Sequence, residues 1–142
     1  MLSDTDFAAI TAKIIAAFGA RPGMELAVEI DPRTMSAQKA QALADAGVTR
    51  ASLGVQDFNR HVQEKINRIQ PFELVENTVQ WLRDAGVQAI NFDLIYGLPG
   101  QRIEDVKHST ELAVSLQPDR LAVFGYAHVP WFKKTPGNDQ NR

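Results

Sequence analysis

Glu29, Gln56 and Asp93 each stand at or next to the end of an apolar run: MELAVEI, RASLGVQ and QAINFDL. Two carboxylates and an amide are hydrogen-bonding groups able to hold a ligand, provided the runs are strands that bring their ends to one mouth. Polar residues often end strands simply because the chain reaches solvent there, but three matched ends argue for a shared site. Arg68 lies within reach of the same mouth, and Arg33, in Asp31-Pro32-Arg33, is either a carboxylate partner or an exposed turn residue. Nothing marks a general acid or base. His61, His108 and His128 lack metal-site spacing, and HExxH and GxSxG are both missing. The turn Tyr96-Gly97-Leu98-Pro99-Gly100 carries neither the dinucleotide nor the P-loop pattern. The cysteine count of 0 excludes a thiol nucleophile and any zinc or iron–sulfur centre held by this chain's own thiolates.

The elements that must position these groups alternate regularly. Ser3 caps a helix in which Phe7, Ile10, Ile14 and Phe18 recur at helical spacing and Gly19 is the stop. Strands are predicted at 24–30, 50–56, 88–94 and 120–126. Helices are predicted at 36–46, 60–67, 71–85 and 103–116. LADAGV at 43–48 returns as LRDAGV at 82–87, each a helix end followed by a turn into a strand.

Four strands joined by helical crossovers imply parallel pairing and an α/β fold. In the first three strands one face is apolar. The other is small or polar: Glu25, Ala27, Glu29; Arg50, Ser52, Gly54, Gln56; Ala89, Asn91, Asp93. Buried parallel sheets are usually apolar on both faces, so this pattern leans toward a barrel with a ligand-bearing interior. A closed eight-stranded barrel needs roughly 200 residues or more, and 142 supply about half of one. With 15 Lys and Arg against 17 Asp and Glu, the net charge is −2, and no basic field exists for nucleic acid. No apolar run is long enough to span a bilayer and no secretory signal opens the chain, which makes the cytoplasm the default expectation. The ending GNDQNR reads as a frayed tail, while Trp131 and Phe132 before Lys133-Lys134 either pack on an element this chain does not contain or lie exposed.

Four blocks, VEIDPRT (28–34), LGVQDFN (53–59), NFDLIYGLPGQ (91–101) and FGYAHVPWFKK (124–134), resemble the oxygen-independent coproporphyrinogen III oxidase family of radical S-adenosylmethionine enzymes. GLPGQ alone is shared with a haem-chaperone-like branch; the combination with GVQDFN and YAHVP is more specific to the oxidases. The resemblance implies a (β/α)6 partial barrel, with residues 1–142 as a central fragment supplying its strands three to six. It implies a [4Fe–4S] cluster on a CxxxCxC loop, a Gly-Gly-Thr-Pro segment and a substrate-covering C-terminal domain, and none of these occurs here.

Two S-adenosylmethionine molecules are implied. Glu29 and Ala127 match contacts to the one cleaved at the cluster; Gln56, Arg68 and Asp93 match contacts to the second. Carboxylates and an amide suit ribose hydroxyls and the methionine ammonium, and Arg suits its carboxylate. Ala127 offers only its backbone or small size. The implied reaction is oxidative decarboxylation of coproporphyrinogen III to protoporphyrinogen IX in haem biosynthesis, with an electron donor as partner and a monomeric full protein. The cofactor carries that chemistry, and the protein binds and orients. Without cluster ligands, the chain alone is expected to be inactive. Two alternatives stand beside this reading: a haem-chaperone-like relative, and a non-catalytic module that binds a partner through its open barrel edges.

Overall fold

The computed structural model describes residues 3–19 and 21–127. The chain runs α1 (Asp4–Phe18), β1 (Ala27–Ile30), α2 (Ala37–Asp45), β2 (Arg50–Gln56), α3 (Arg60–Lys65), α4 (Phe72–Asp84), β3 (Ala89–Tyr96), α5 (Ile103–Ser115) and β4 (Arg120–Gly125), with a 3-10 turn at Pro32–Thr34. The four strands form one sheet in the order β1-β2-β3-β4, every neighbour parallel.

Local chemistry sets the boundaries. Ser3 Oγ accepts the Asp6 N–H at 3.1 Å, which starts α1 where the sequence places it. The repeated DAGV segments fold alike. Gly47 and Gly86 take φ of 89° and 100°. The next amides, Val48 and Val87, reach back to the Leu43 and Leu82 carbonyls at 3.1 and 2.9 Å. This is a Schellman-type helix end that needs a left-handed residue, and it delivers a buried valine to the core both times. β1 is shorter than the predicted 24–30. Met24 is drawn into a turn by its bond to the Arg21 carbonyl, and the Leu26 N–H is taken by Thr49 Oγ1 rather than by a strand neighbour.

One face of the sheet carries the core. Ala51, Leu53 and Val55 of β2 and Ile90, Phe92 and Leu94 of β3 are buried in a single cluster with Ala40 of α2, Val75, Val79 and Leu82 of α4, and Ala113 and Leu116 at α5. The opposite-facing residues of β2 and β3 remain partly exposed and take no part in it. A doubly wound sheet would be covered on both faces. Core helices stacked on one side of a parallel sheet are instead the geometry of a partial barrel, as the residue pattern predicts. Among the described residues no helix is long and apolar enough to cross a membrane.

α5 starts with an electrostatic fixture. The Arg102 N–H donates to Asp105 Oδ2 at 2.7 Å, and His61 Nε2 lies 3.1 Å from the same oxygen. Burial pushes the Asp105 pKa up, but the Arg102 N–H and His61 together outweigh it and hold the carboxyl below its ordinary 3.8. A depressed carboxyl contributes stability above its unfolded pKa and loses it as pH falls through the folded one. Asp105→Asn is therefore expected to cost about 1 kcal/mol near neutral pH and to narrow the gap with the wild type below about pH 4. Urea unfolding at several pH values measures it; a gap that stays constant into acid would contradict this account.

Candidate ligand-binding site

The polar face of the sheet is organised around Gly54. Pairing between β2 and β3 runs in register from Arg50↔Ala89 to Gly54↔Asp93 and then slips, so that Gln56 stands opposite Leu94. Gln56 sits at φ 67°, in the left-handed region, so the bulge turns the end of β2. The missing side chain at Gly54 leaves room for two others. A Cβ there would lie 2.9 Å from Gln56 Nε2 and 3.3 Å from Arg68 Nη2. Arg68 Nη2 donates to the Gly54 carbonyl at 2.9 Å, and Gln70 Nε2 reaches the same oxygen at 3.3 Å.

Arg68 is tied electrostatically to the end of β1. Its Nη2 lies 3.5 Å from Asp31 Oδ1. Arg33 grips the same carboxylate through Nε at 3.0 Å and Nη2 at 2.6 Å. The Arg33 hydrogen bond is the main reason that the Asp31 pKa falls below its ordinary value, against the opposing pull of burial. Burial lowers the Arg68 pKa, while the Asp31 charge supports its charged form. Two guanidiniums thus share one carboxylate, leaving cationic character beside the strand ends.

Asp93 Oδ2 accepts the Ser52 hydroxyl at 3.1 Å. One layer below, Arg50 bridges the face, donating to Asn91 Oδ1 and Glu25 Oε2, both at 2.9 Å. Glu29 pairs in register with Ser52 on the edge strand and is exposed. Ala127 is exposed just past β4.

The structure therefore brings Gln56 and Arg68 together over Gly54, with Asp93 on the neighbouring strand. Glu29 stands on the adjoining edge strand, in register with Ser52, and Ala127 lies just past the end of β4. His128, Trp131 and Phe132 lie outside the described residues. His108 is exposed on α5. Sequence reasoning did not single out Gln70. Nothing in the spacing of a lone glutamine after a short helix marks it as capping the β2 bulge.

Among the described residues, three buried polar atoms have no partner: Gln56 Oε1, Arg68 Nε and Gln70 Oε1. Unspent hydrogen-bonding capacity at one strand end is costly unless something satisfies it. Among the described residues no group of three or more His, Cys, Asp or Glu is gathered as for a metal ion. A cleft of about 610 Å³ opens between α1, β1 and α2, lined mainly by Phe7, Val28, Ile30, Met35 and Leu43. Glu29 and Asp31 also line it, while Gln56, Arg68 and Asp93 do not.

Comparison with known proteins places this chain in a family. The chain is 54% identical over 112 residues to the oxygen-independent coproporphyrinogen III oxidase of Helicobacter pylori strain J99, covering 79% of this chain and 24% of that protein. It is 52% identical over 128 residues to the enzyme of the same name from Bradyrhizobium diazoefficiens, covering 90% and 28%. The chain thus spans about a quarter of the length of these curated relatives. Among solved structures it superposes on coproporphyrinogen III oxidase from Escherichia coli, a radical SAM enzyme, with a TM-score of 0.85 and 35% identity, over 92% of this chain and 30% of that one. The chain is homologous to part of the oxygen-independent coproporphyrinogen III oxidases, and, with residues 1–113 matching the sequence model of the Radical SAM superfamily, it belongs to that superfamily.

Proposed function

We propose that these residues form barrel strands three to six of an enzyme resembling oxygen-independent coproporphyrinogen III oxidase, and that their polar face holds S-adenosylmethionine. The observation that carries the reading is the cluster of unpartnered polar atoms on Gln56, Arg68 and Gln70 at the β2 bulge, one strand from Asp93. That donor and acceptor set fits the ligand. The Arg68 guanidinium suits the methionine carboxylate, the Gln56 amide can meet amine or hydroxyl, and the second oxygen of Asp93 can accept from a ribose hydroxyl. Glu29 and the backbone at Ala127 would serve a second molecule at the sheet edges, the one that is cleaved in the family.

Bound S-adenosylmethionine supplies the radical chemistry of the superfamily; this chain's residues bind and orient it. The residues present do not fit an iron–sulfur cluster, because the chain has 0 cysteines. In this reading the cluster ligands lie in parts of the enzyme outside these 142 residues. The substrate of the whole enzyme is coproporphyrinogen III, decarboxylated oxidatively in haem biosynthesis, with an electron donor as partner. The isolated chain is expected to show no turnover, and robust activity from it would overturn the assignment.

Calorimetric titration with S-adenosylmethionine tests the site directly. Saturable binding is expected, weakened about tenfold or more in Asp93→Ala, which removes a hydrogen-bonded charge. Glu29→Ala is expected to affect a second, separate component of the isotherm. Binding unchanged in both variants would remove the strand-end assignment.

A further inference from the structure

The loops leaving β2 and β3 are joined through one buried carboxyl. Asp57, directly after Gln56, is 1% exposed. Its Oδ1 accepts from both the backbone N–H and the Nδ2 of Asn59, and its Oδ2 accepts from Gln101 Nε2 at 2.7 Å. The Gln101 amide is fully used. Nε2 also donates to the Ile95 carbonyl at 2.9 Å, and Oε1 accepts the Leu98 N–H at 3.2 Å. The Tyr96–Gly100 turn is thus closed by the same side chain that grips the β2 exit.

Asn59 extends the link to α5, donating to the Asp105 carbonyl at 2.9 Å and to Ser109 Oγ at 3.0 Å. Gln63, also buried, donates to the Asp57 carbonyl and the Gln70 carbonyl at 2.9 and 2.7 Å. Together they bracket Gln56, whose left-handed backbone must be held by its surroundings.

We propose that Asp57 and Gln101 form a positioning latch that couples the β2 exit to the β3 turn, fixing where Gln56 stands relative to Asp93. Its consequence for affinity rests on the ligand reading given above. The coupling itself does not. Gln101→Glu sets a second carboxyl against Asp57 and removes the donor; Asp57→Asn combined with Gln101→Glu restores a donor–acceptor pair with the roles reversed. Gln101→Met deletes the hydrogen bonds without adding charge and serves if the charged variant fails to fold.

Amide exchange in the 142-residue chain reads the coupling. Gln101→Glu or Gln101→Met is expected to speed exchange at Asn59, across the latch, about tenfold, with the strand amides of Leu53 and Phe92 unchanged. Affinity for S-adenosylhomocysteine, a non-reactive probe, is expected to fall about tenfold in the same variant, and the reversed pair is expected to recover part of both losses, since it restores the link to residue 57 but not the donor to the Ile95 carbonyl. Unchanged exchange at Asn59, or a reversed pair no better than the single variants, overturns the latch. If the wild type fails to bind the probe while exchange responds as expected, the ligand reading falls and the latch stands.

Discussion

Phe92→Ala is expected to lower the unfolding free energy by about 3–5 kcal/mol. Phe92 is the largest fully buried side chain among the described residues, 0% exposed in the middle of β3. It pairs in register with Leu53 on one side and Leu121 on the other, so the void left by the ring would open at the centre of the sheet. Strands held on both sides cannot collapse into such a void, which puts the cost at the upper end of the truncation range. Against a typical total of about 5–15 kcal/mol, a loss of this size leaves a sizeable unfolded fraction at physiological temperature.

Val123→Ala makes the internal control. Val123 lies on the same face of the sheet, one strand away, but is 53% exposed at the open edge, and its truncation is expected to cost about 0.5 kcal/mol or less. Urea denaturation compares the two. Equal effects would mean that the core does not centre on β3, and that β4 is covered in solution by something else.

Most of this architecture was legible in the residues because period-2 burial is a strong signal when one face is wet. Leu53, Val55, Ile90 and Phe92 announce the core by alternation alone, and β2 folds over the predicted 50–56. The repeated helix end at DAGV is equally local. β1 was overextended because Met24 and Leu26 continue the apolar alternation, while the competing bonds to Arg21 and Thr49 come from turns and distant residues that alternation does not encode.

The site was legible as a set of strand-end residues but not as an arrangement. Gln56 sits where alternation places it, yet its left-handed backbone, the slip in register after Gly54 and the return of Arg68 across 14 residues arise only in three dimensions. Asp57, Gln63, Gln70 and Gln101 were missed as a group. Asp57, Gln70 and Gln101 are polar loop residues by sequence and Gln63 a polar residue of a short helix, and only the structure shows that their partners are one another.

Gly54 tests the arrangement most sharply, since sequence alone gives it no role beyond being small. Its φ is not left-handed, so alanine or valine can adopt the backbone, and a strand glycine exchanged for alanine generally gains about 0.5–1 kcal/mol of stability. The objection is local and falls on the site. A Cβ would stand 2.9 Å from Gln56 Nε2 and 3.3 Å from Arg68 Nη2. Both are ends of flexible side chains, so they can move aside without unfolding the sheet, but they cannot then meet a ligand as they do over glycine. Gly54→Ala is accordingly expected to leave the unfolding midpoint unchanged or raised while weakening S-adenosylmethionine binding about tenfold. Gly54→Val, with two more methyl groups over the same spot, is expected to weaken it about a hundredfold. Calorimetry and thermal unfolding on the same samples separate the two readouts. Retained affinity in Gly54→Val would mean that Gln56 and Arg68 do not act from the positions they hold here. Loss of stability in step with affinity would mean that the glycine serves the sheet and not the ligand.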